Sequence, residues 1–282
     1  MRRNVHTFIG CEAEYKESNT VLFGAPFDST TSYRPGTRFA SAAIRNESYG
    51  IETYSPYQDK DLMDIQVFDA GDLELPFGAP DMALEAIEKM AATILNDNKR
   101  PFMIGGEHLV TLGAVRAAVK KHPNLHIIHF DAHADLREEY LGVHFSHATV
   151  MHRCHDLVGD GKIYQFGIRS GDREEFRWGK DHVTTCKFNF DTLEETVKKL
   201  KKDHVPVYFT LDLDVLDPSE FPGTGTPEAG GVTFVQLLDA ILKVAKLNIV
   251  AIDMNELSPP YDQTGASTAL ACKLLREILL AI

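Results

Sequence analysis

The segment His129-Phe130-Asp131-Ala132-His133-Ala134-Asp135 sets three metal-binding side chain types, Asp131, His133 and Asp135, two residues apart. It continues Leu125-His126-Ile127-Ile128, an apolar run that reads as strand. A strand turns alternate side chains to one face, so the three can converge on one ion. The strand's C-terminal end is also where open α/β sheets place their sites. A second apolar run, Val207-Tyr208-Phe209-Thr210-Leu211, leads into Asp212-Leu213-Asp214-Val215-Leu216-Asp217-Pro218. Strand parity puts Asp212 and Asp214 on one face and Leu211, Leu213 and Val215 on the other. A third strand, 101–104, runs into Gly105-Gly106-Glu107-His108 and delivers another imidazole.

Four carboxylates (Asp131, Asp135, Asp212, Asp214) and two imidazoles (His108, His133) therefore come from three strand ends. Hard oxygen with borderline nitrogen suits Mn²⁺, leaves Fe²⁺, Co²⁺ and Zn²⁺ open, and argues against a thiolate site. Six ligands, two of them able to bridge, suit a pair of ions about 3.5–4 Å apart better than a single one. Each segment alone also reads as a strand end or turn with solvated acids and a hydrogen-bonded histidine. Three unconnected strand ends carrying the same donor types point to metal.

The elements that must hold these residues follow from hydrophobic period. Strands are expected at 21–25, 66–70, 101–104, 125–130, 162–168, 205–211 and 248–253. Helices are expected at 41–49, 81–96, 110–122, 148–157, 191–203, 233–247 and 266–282. Such alternation predicts an α/β fold, a mostly parallel central sheet with helices on both faces. The strands are apolar throughout, as when both faces are covered. No linker, charge block or internal repeat divides the 282 residues, so one domain spanning 1–282 is expected.

Composition narrows the function classes. Asp and Glu outnumber Lys and Arg 41 to 29, a net charge of −12 that disfavours a nucleic-acid surface and accords with a cationic substrate. Cys11, Cys154, Cys186 and Cys272 form no paired spacing, which favours a reduced, cytoplasmic setting. Arg2 and Arg3 are followed by His6, Glu12 and Glu14, which interrupt any signal-peptide core. No segment approaches the roughly 18–20 apolar residues of a membrane span. Two loops stand out. Phe221 to Gly231 is rich in Gly and Pro and should form a pocket rim, with Glu228 as its charge. The turn Tyr33-Arg34-Pro35-Gly36-Thr37-Arg38-Phe39 carries arginines suited to bracing a subunit contact, a helix start or a substrate.

GGEH (105–108), DAHAD (131–135), SHAT (146–149), DLDVLDP (212–218), GTGTPEAGG (223–231) and DMNELSP (253–259) occur here in this order. In this the chain resembles the ureohydrolase (arginase/agmatinase) family along nearly its whole length, and agmatinases most. The resemblance implies a three-layer arginase-like fold with two Mn²⁺ per subunit. It assigns His108, Asp131, Asp135 and Asp212 to one ion and His133, Asp131, Asp212 and Asp214 to the other, Asp131 and Asp212 bridging. His129 matches no family ligand and reads as an inner, hydrogen-bonded histidine. The implied reaction is hydrolysis of the agmatine guanidinium to putrescine and urea, a metal-bridging hydroxide being the nucleophile. Asp135 would orient it and pass its proton to the leaving nitrogen, His147 would shuttle protons, and Glu256 would grip the guanidinium. Relatives assemble as trimers or hexamers, so a homo-oligomer is implied.

Departures are GGEHL where the family commonly has GGDHS, and Ala148 where a glycine often follows the shuttle histidine. His144 is a second candidate proton carrier, while His152 and His155 should lie on a helix surface. For the far end of the substrate, Glu138 and Glu139 would favour an ammonium, whereas Arg137 would receive a carboxylate such as that of 4-guanidinobutyrate. Arginine and N-substituted agmatines stay open. A zinc deacetylase would need fewer ligands, a sensor or scaffold of this fold would lack a ligand or the shuttle, and a two-metal phosphatase would need a phosphate cradle.

Overall fold

Apolar runs rich in aromatic and β-branched residues alternate with amphipathic ones, and burying both needs a sheet covered on two sides. The computed structural model describes residue 1 and residues 4–282; Arg2 and Arg3 lie outside the described residues. The strands are β1 (Thr20–Gly24), β2 (Tyr54–Ser55), β3 (Lys60–Asp61), β4 (Val67–Asp72), β5 (Arg100–Ile104), β6 (His126–Phe130), β7 (Ile163–Ile168), β8 (Thr184–Lys187), β9 (Pro206–Asp212) and β10 (Asn248–Asn255). Eight form one sheet in the order β4-β1-β5-β10-β9-β6-β7-β8, each neighbouring pair parallel. β2 and β3 make a separate antiparallel hairpin.

The helices are α1 (Ala40–Glu47), α2 (Pro80–Asn96), α3 (Val110–Lys121), α4 (Val150–Val158), α5 (Arg173–His182), α6 (Leu193–Lys202), α7 (Phe234–Val244) and α8 (Ala266–Ala281). Those from α2 to α5 pack on one face with Val21, Phe23, Ile127 and Tyr208. α1, α6, α7 and α8 cover the other with Leu22, Ile128, Phe130 and Phe209. Three layers result, as expected. After β8 the chain returns to lay β9 and β10 between β6 and β5, so the direction of winding reverses at the sheet's centre. Crevices at such reversals are where open sheets bind ligands.

Every expected strand and helix is present, with ends displaced by a few residues. Four elements were not expected. α5 (REEFRWGKDH) buries only Glu175 and Gly179 fully and meets the core with just two partly buried apolar residues, Phe176 and Trp178, too few for a periodic signal. β8 is a four-residue edge strand with one buried side chain, and the hairpin strands have two residues each. The helix expected from 148 begins instead with a tight turn over His147–Thr149, capped by the Ser146 hydroxyl, before α4. No helix among the described residues is long and apolar enough to cross a membrane.

Beneath the site, the fully buried Phe130 ring meets Phe190 at 4.6 Å, Phe209 at 5.0 Å and Phe166 at 5.7 Å between centroids. Phe130→Ala should cost about 3–5 kcal/mol in urea unfolding, the loss of transfer and cavity terms together. A loss under about 1 kcal/mol would show that these rings do not tie β6, β7 and β9 together.

Candidate metal centre and active site

The four central strands end side by side. His108 follows β5, residues 131–135 follow β6, Asp212 ends β9, and Glu256 follows β10. His108 reaches the centre because Gly106 lets the loop pass against Phe27, where a Cβ would lie 2.0 Å from the carbonyl oxygen. Strand alternation does not bring Asp131, His133 and Asp135 together, since β6 stops at Phe130. A loop does so. The Ala132 carbonyl accepts from Arg169 N (2.7 Å) and Ser170 N (2.9 Å), Ala134 N donates to Ser170 O, and Asp135 adopts φ 54°. Asp214 likewise leaves strand parity, in the turn 213–215, where its own N–H donates to Asp212 Oδ1 at 2.8 Å. Positive φ at Asp135 and at Glu256 (65°) is backbone strain of the kind held at functional sites.

The six expected donors meet. His108 Nδ1 lies 3.0 Å from Asp131 Oδ2, 3.1 Å from Asp135 Oδ2 and 3.3 Å from Asp212 Oδ2. His133 Nδ1 lies 2.9 Å from Asp214 Oδ2 and 3.5 Å from Asp131 Oδ1. The four carboxylates are buried. Burial, then repulsion from Asp131, pushes Asp135 up to about 7. Asp212 is raised well above the carboxylate range by burial and by Asp131 and Asp214. Burial opposes the charged form of His108, yet Asp131, Asp135 and Asp212 outweigh it and raise the imidazole well above its usual range. His108 Nδ1 and Asp214 Oδ2 are buried without a hydrogen-bond partner. Such a set of O and N donors, crowded, buried and partly unsatisfied, fits a pair of divalent cations.

Outer residues orient the donors. Gln165 donates to His129 Nδ1 (3.0 Å) and to Ala134 O, so the His129 proton sits on Nε2 and goes to Asp131 Oδ2 at 2.7 Å. His129 therefore has no free lone pair toward the centre and is the inner histidine expected. Thr210 Oγ1 lies 2.9 Å from His108 Nε2, within a buried chain of Thr111, Asn255, Asp253 and Tyr208. Arg169, which no sequence motif pointed to, donates to the carbonyls of Asp214, Val215, Leu216 and Glu228. It joins the turn after β9 to the Gly-rich loop. Its lone signal was a cation directly after an apolar strand.

A cavity of ≈ 150 Å³ opens over these donors, lined by Ser32, His133, Asp135, Arg137, Tyr140 and His147 among others. At ~30 Å³ per water it holds about five waters or one small planar cation. His147 Nδ1 donates to Thr30 O (2.9 Å), leaving Nε2 as the acceptor, 3.2 Å from Ser32 Oγ. Burial, with the charges of His133 and His108, pushes its pKa down to about 4, so it is neutral at pH 7. Glu107 holds this loop, accepting from Thr30 N, Thr30 Oγ1 and Thr31 Oγ1. Glu256 Oε1 accepts from His108 N at 2.7 Å. His144 is exposed, its ring 3.4 Å from Glu138 O, away from the cavity lining.

Arg137 is already engaged: it donates to buried Glu175 (3.2 Å), lies 3.7 Å from Asp172 and covers the Tyr140 ring at 4.4 Å. Glu138 and Glu139 line a wider adjoining groove of ≈ 610 Å³. Glu228 sits on the rim, Oε1 taking the Ser170 hydroxyl and lying 3.9 Å from His133 Nε2. Arg38 pairs with Asp28, and Arg34 reaches Gly225 O and stacks on Tyr261; both brace loops outside the cavity lining.

Residues 18–281 match the arginase family. An agmatinase of Bacillus anthracis is 47% identical over 276 residues, 97% of this chain and 95% of that protein. The crystal structure of a candidate agmatinase from Clostridium difficile is 51% identical with a TM-score of 0.92, covering 95% of this chain and 98% of that one. The agmatine ureohydrolase of Thermoplasma volcanium is 33% identical with a TM-score of 0.90, covering 99% and 94%.

Protons and cations compete for the same oxygens. Asp135 at about 7 and the raised Asp212 and His108 must lose protons before metal binds, so affinity should rise with pH. Metal retained after equilibrium dialysis should fall steeply between about pH 8 and 6. Occupancy flat across that window would mean the cluster does not hold the ions.

Proposed function

Since the chain belongs to the arginase family, we propose that it hydrolyses the guanidinium group of agmatine to putrescine and urea. The observation that carries this is the buried cluster of four carboxylates and two imidazoles, two of whose members, His133 and Asp135, line a cavity sized for a guanidinium. His108, Asp131, Asp135 and Asp212 would hold one ion and His133, Asp131, Asp212 and Asp214 the other, with Asp131 and Asp212 shared. Two manganese ions held there would lower the pKa of water and so supply a nucleophile near neutral pH.

The chain's own groups do the rest. Asp135, at the junction of floor and cavity, aligns the nucleophile and carries its proton toward the leaving nitrogen. Glu256 commits one oxygen to His108 N, which leaves the other for the guanidinium N–H groups. His147, neutral and with Nε2 as its acceptor beside the Ser32 hydroxyl, takes and returns protons at the cavity mouth. Arg137 favours agmatine over a carboxylate-bearing substrate: its charge is met by Glu175, so the wall offers no unpaired cation. The domain spans 1–282, works as a homo-oligomer, trimer or hexamer, and belongs to a reduced, cytoplasmic setting in keeping with four free, buried cysteines.

Urea release by manganese-loaded protein from agmatine, arginine and 4-guanidinobutyrate, assayed in parallel, should favour agmatine in kcat/KM by at least about tenfold, the ~1.4 kcal/mol of one unmatched charge. No urea from any of the three rejects the reaction; a preference for guanidinobutyrate rejects only the substrate. Asp212→Ala should remove metal and turnover together.

His147→Ala should lower kcat by about 10²–10⁴, the range of a lost proton carrier, with His144→Ala close to wild type. Much of the activity surviving in His147→Ala, with the loss appearing in His144→Ala, would move the proton path to His144.

A further inference from the structure

A second group of metal-type donors lies outside the cavity. His155 is in the last turn of α4, Asp160 in the turn to β7, and His182 ends α5. His155 Nε2 and His182 Nδ1 approach the same oxygen, Asp160 Oδ1, at 2.7 and 2.6 Å. We propose that these three residues form a separate binding site for a late first-row divalent cation such as zinc.

The ring geometry fits one ion held by both imidazoles. With a metal–nitrogen bond of 2.0–2.1 Å, each ring centroid stands about 3.2 Å from the ion, and a tetrahedral angle separates the two by about 5.2 Å. The observed separation is 5.1 Å with planes inclined at 77°. In a tetrahedral site the nitrogen–oxygen edges would be about 3.3 Å, so Asp160 must withdraw by roughly 0.6 Å. Its turn permits that. Asp160 is exposed and flanked by Gly159 and Gly161, both at positive φ with open space around them.

The imidazoles are held in advance. Trp178 is stacked between His182 (4.2 Å) and His152 (4.3 Å) and meets His155 edge-on at 4.7 Å. Rings locked by packing lose little freedom on binding an ion. Two imidazoles and one carboxylate select Zn²⁺, Ni²⁺ and Cu²⁺ over Mn²⁺ by the usual order of affinities, and solvent completes the coordination. The site thus differs in donor set and exposure from the carboxylate-rich centre.

Trp178 is the chain's single tryptophan, so its fluorescence reports this site directly. Manganese-loaded full-length protein titrated with Ni²⁺ should show saturable quenching that Zn²⁺ reverses by displacing Ni²⁺. H155A and D160N, made separately, should each weaken the apparent Ni²⁺ affinity at least tenfold, while Asp214→Ala leaves it unchanged. Wild-type protein without saturable quenching, variants that quench like wild type, or loss of quenching in Asp214→Ala would each overturn the proposal.

Discussion

Four carboxylates buried within contact of one another and of two imidazoles set the terms for the rest of the molecule. Burial, and after it their mutual repulsion, exceeds what hydrogen bonds relieve, which is why Asp212 and Asp135 are pushed toward the protonated form while Asp131, ringed by imidazoles, is held well below its usual range. Only cations resolve this fully. Until they bind, the scaffold must hold groups together that electrostatics drives apart. That demand explains the left-handed backbone at Asp135, the lacing of residues 132–134 to 169–170, and the Arg169 guanidinium gathering the carbonyls of residues 214–216.

The same scaffold decides which atom of each histidine is available. Gln165 on β7, itself oriented by Thr185 on β8, gives His129 a proton donor on one side and so turns its own N–H onto Asp131. Thr30 O takes the Nδ1–H of His147 and leaves Nε2 as the acceptor, next to the Ser32 hydroxyl. Glu107 in turn fixes Thr30 through both of its oxygens. Glutamate at the position where the family commonly has aspartate therefore has a visible task here: its side chain spans from the β5 loop to residues 30–31 and sets the histidine above the floor. Tautomer choice, which chemistry at the site depends on, is determined by residues as far as the sheet edge.

Much of this was legible in the sequence, and the limits are physical. The long apolar strands and the amphipathic helices are strong periodic signals, so layers and sheet type followed from them. The six donors stood out because their types and positions at strand ends are improbable by chance. The geometric reason first given for their convergence was incomplete, since strand parity cannot show that β6 ends at Phe130 or that Asp135 turns left-handed. α5 and β8 escaped because one has only two large apolar residues, Phe176 and Trp178, both partly buried, and the other is a short edge. Arg169 acts through main-chain carbonyls 45–59 positions away, and Glu107 through Thr30 and Thr31, 77 and 76 positions away, contacts that no local spacing encodes.

Substrate choice shows the same limit most sharply. Read along the chain, Arg137 beside Glu138 and Glu139 offers a carboxylate receptor and an ammonium receptor at once. In the fold Arg137 is turned onto Glu175 of α5, the helix with least sequence signal, and its charge is matched before any ligand arrives. A substrate carboxylate at that wall would have to displace a buried carboxylate that also accepts from Leu136 N and Asp172 N, and would leave those N–H groups unpaired. An ammonium or an aliphatic end makes no such demand. On the proposed reaction the discrimination lies in a pairing between the loop after β6 and the helix after β7, and the metal floor beneath can stay the same while that pairing selects the substrate.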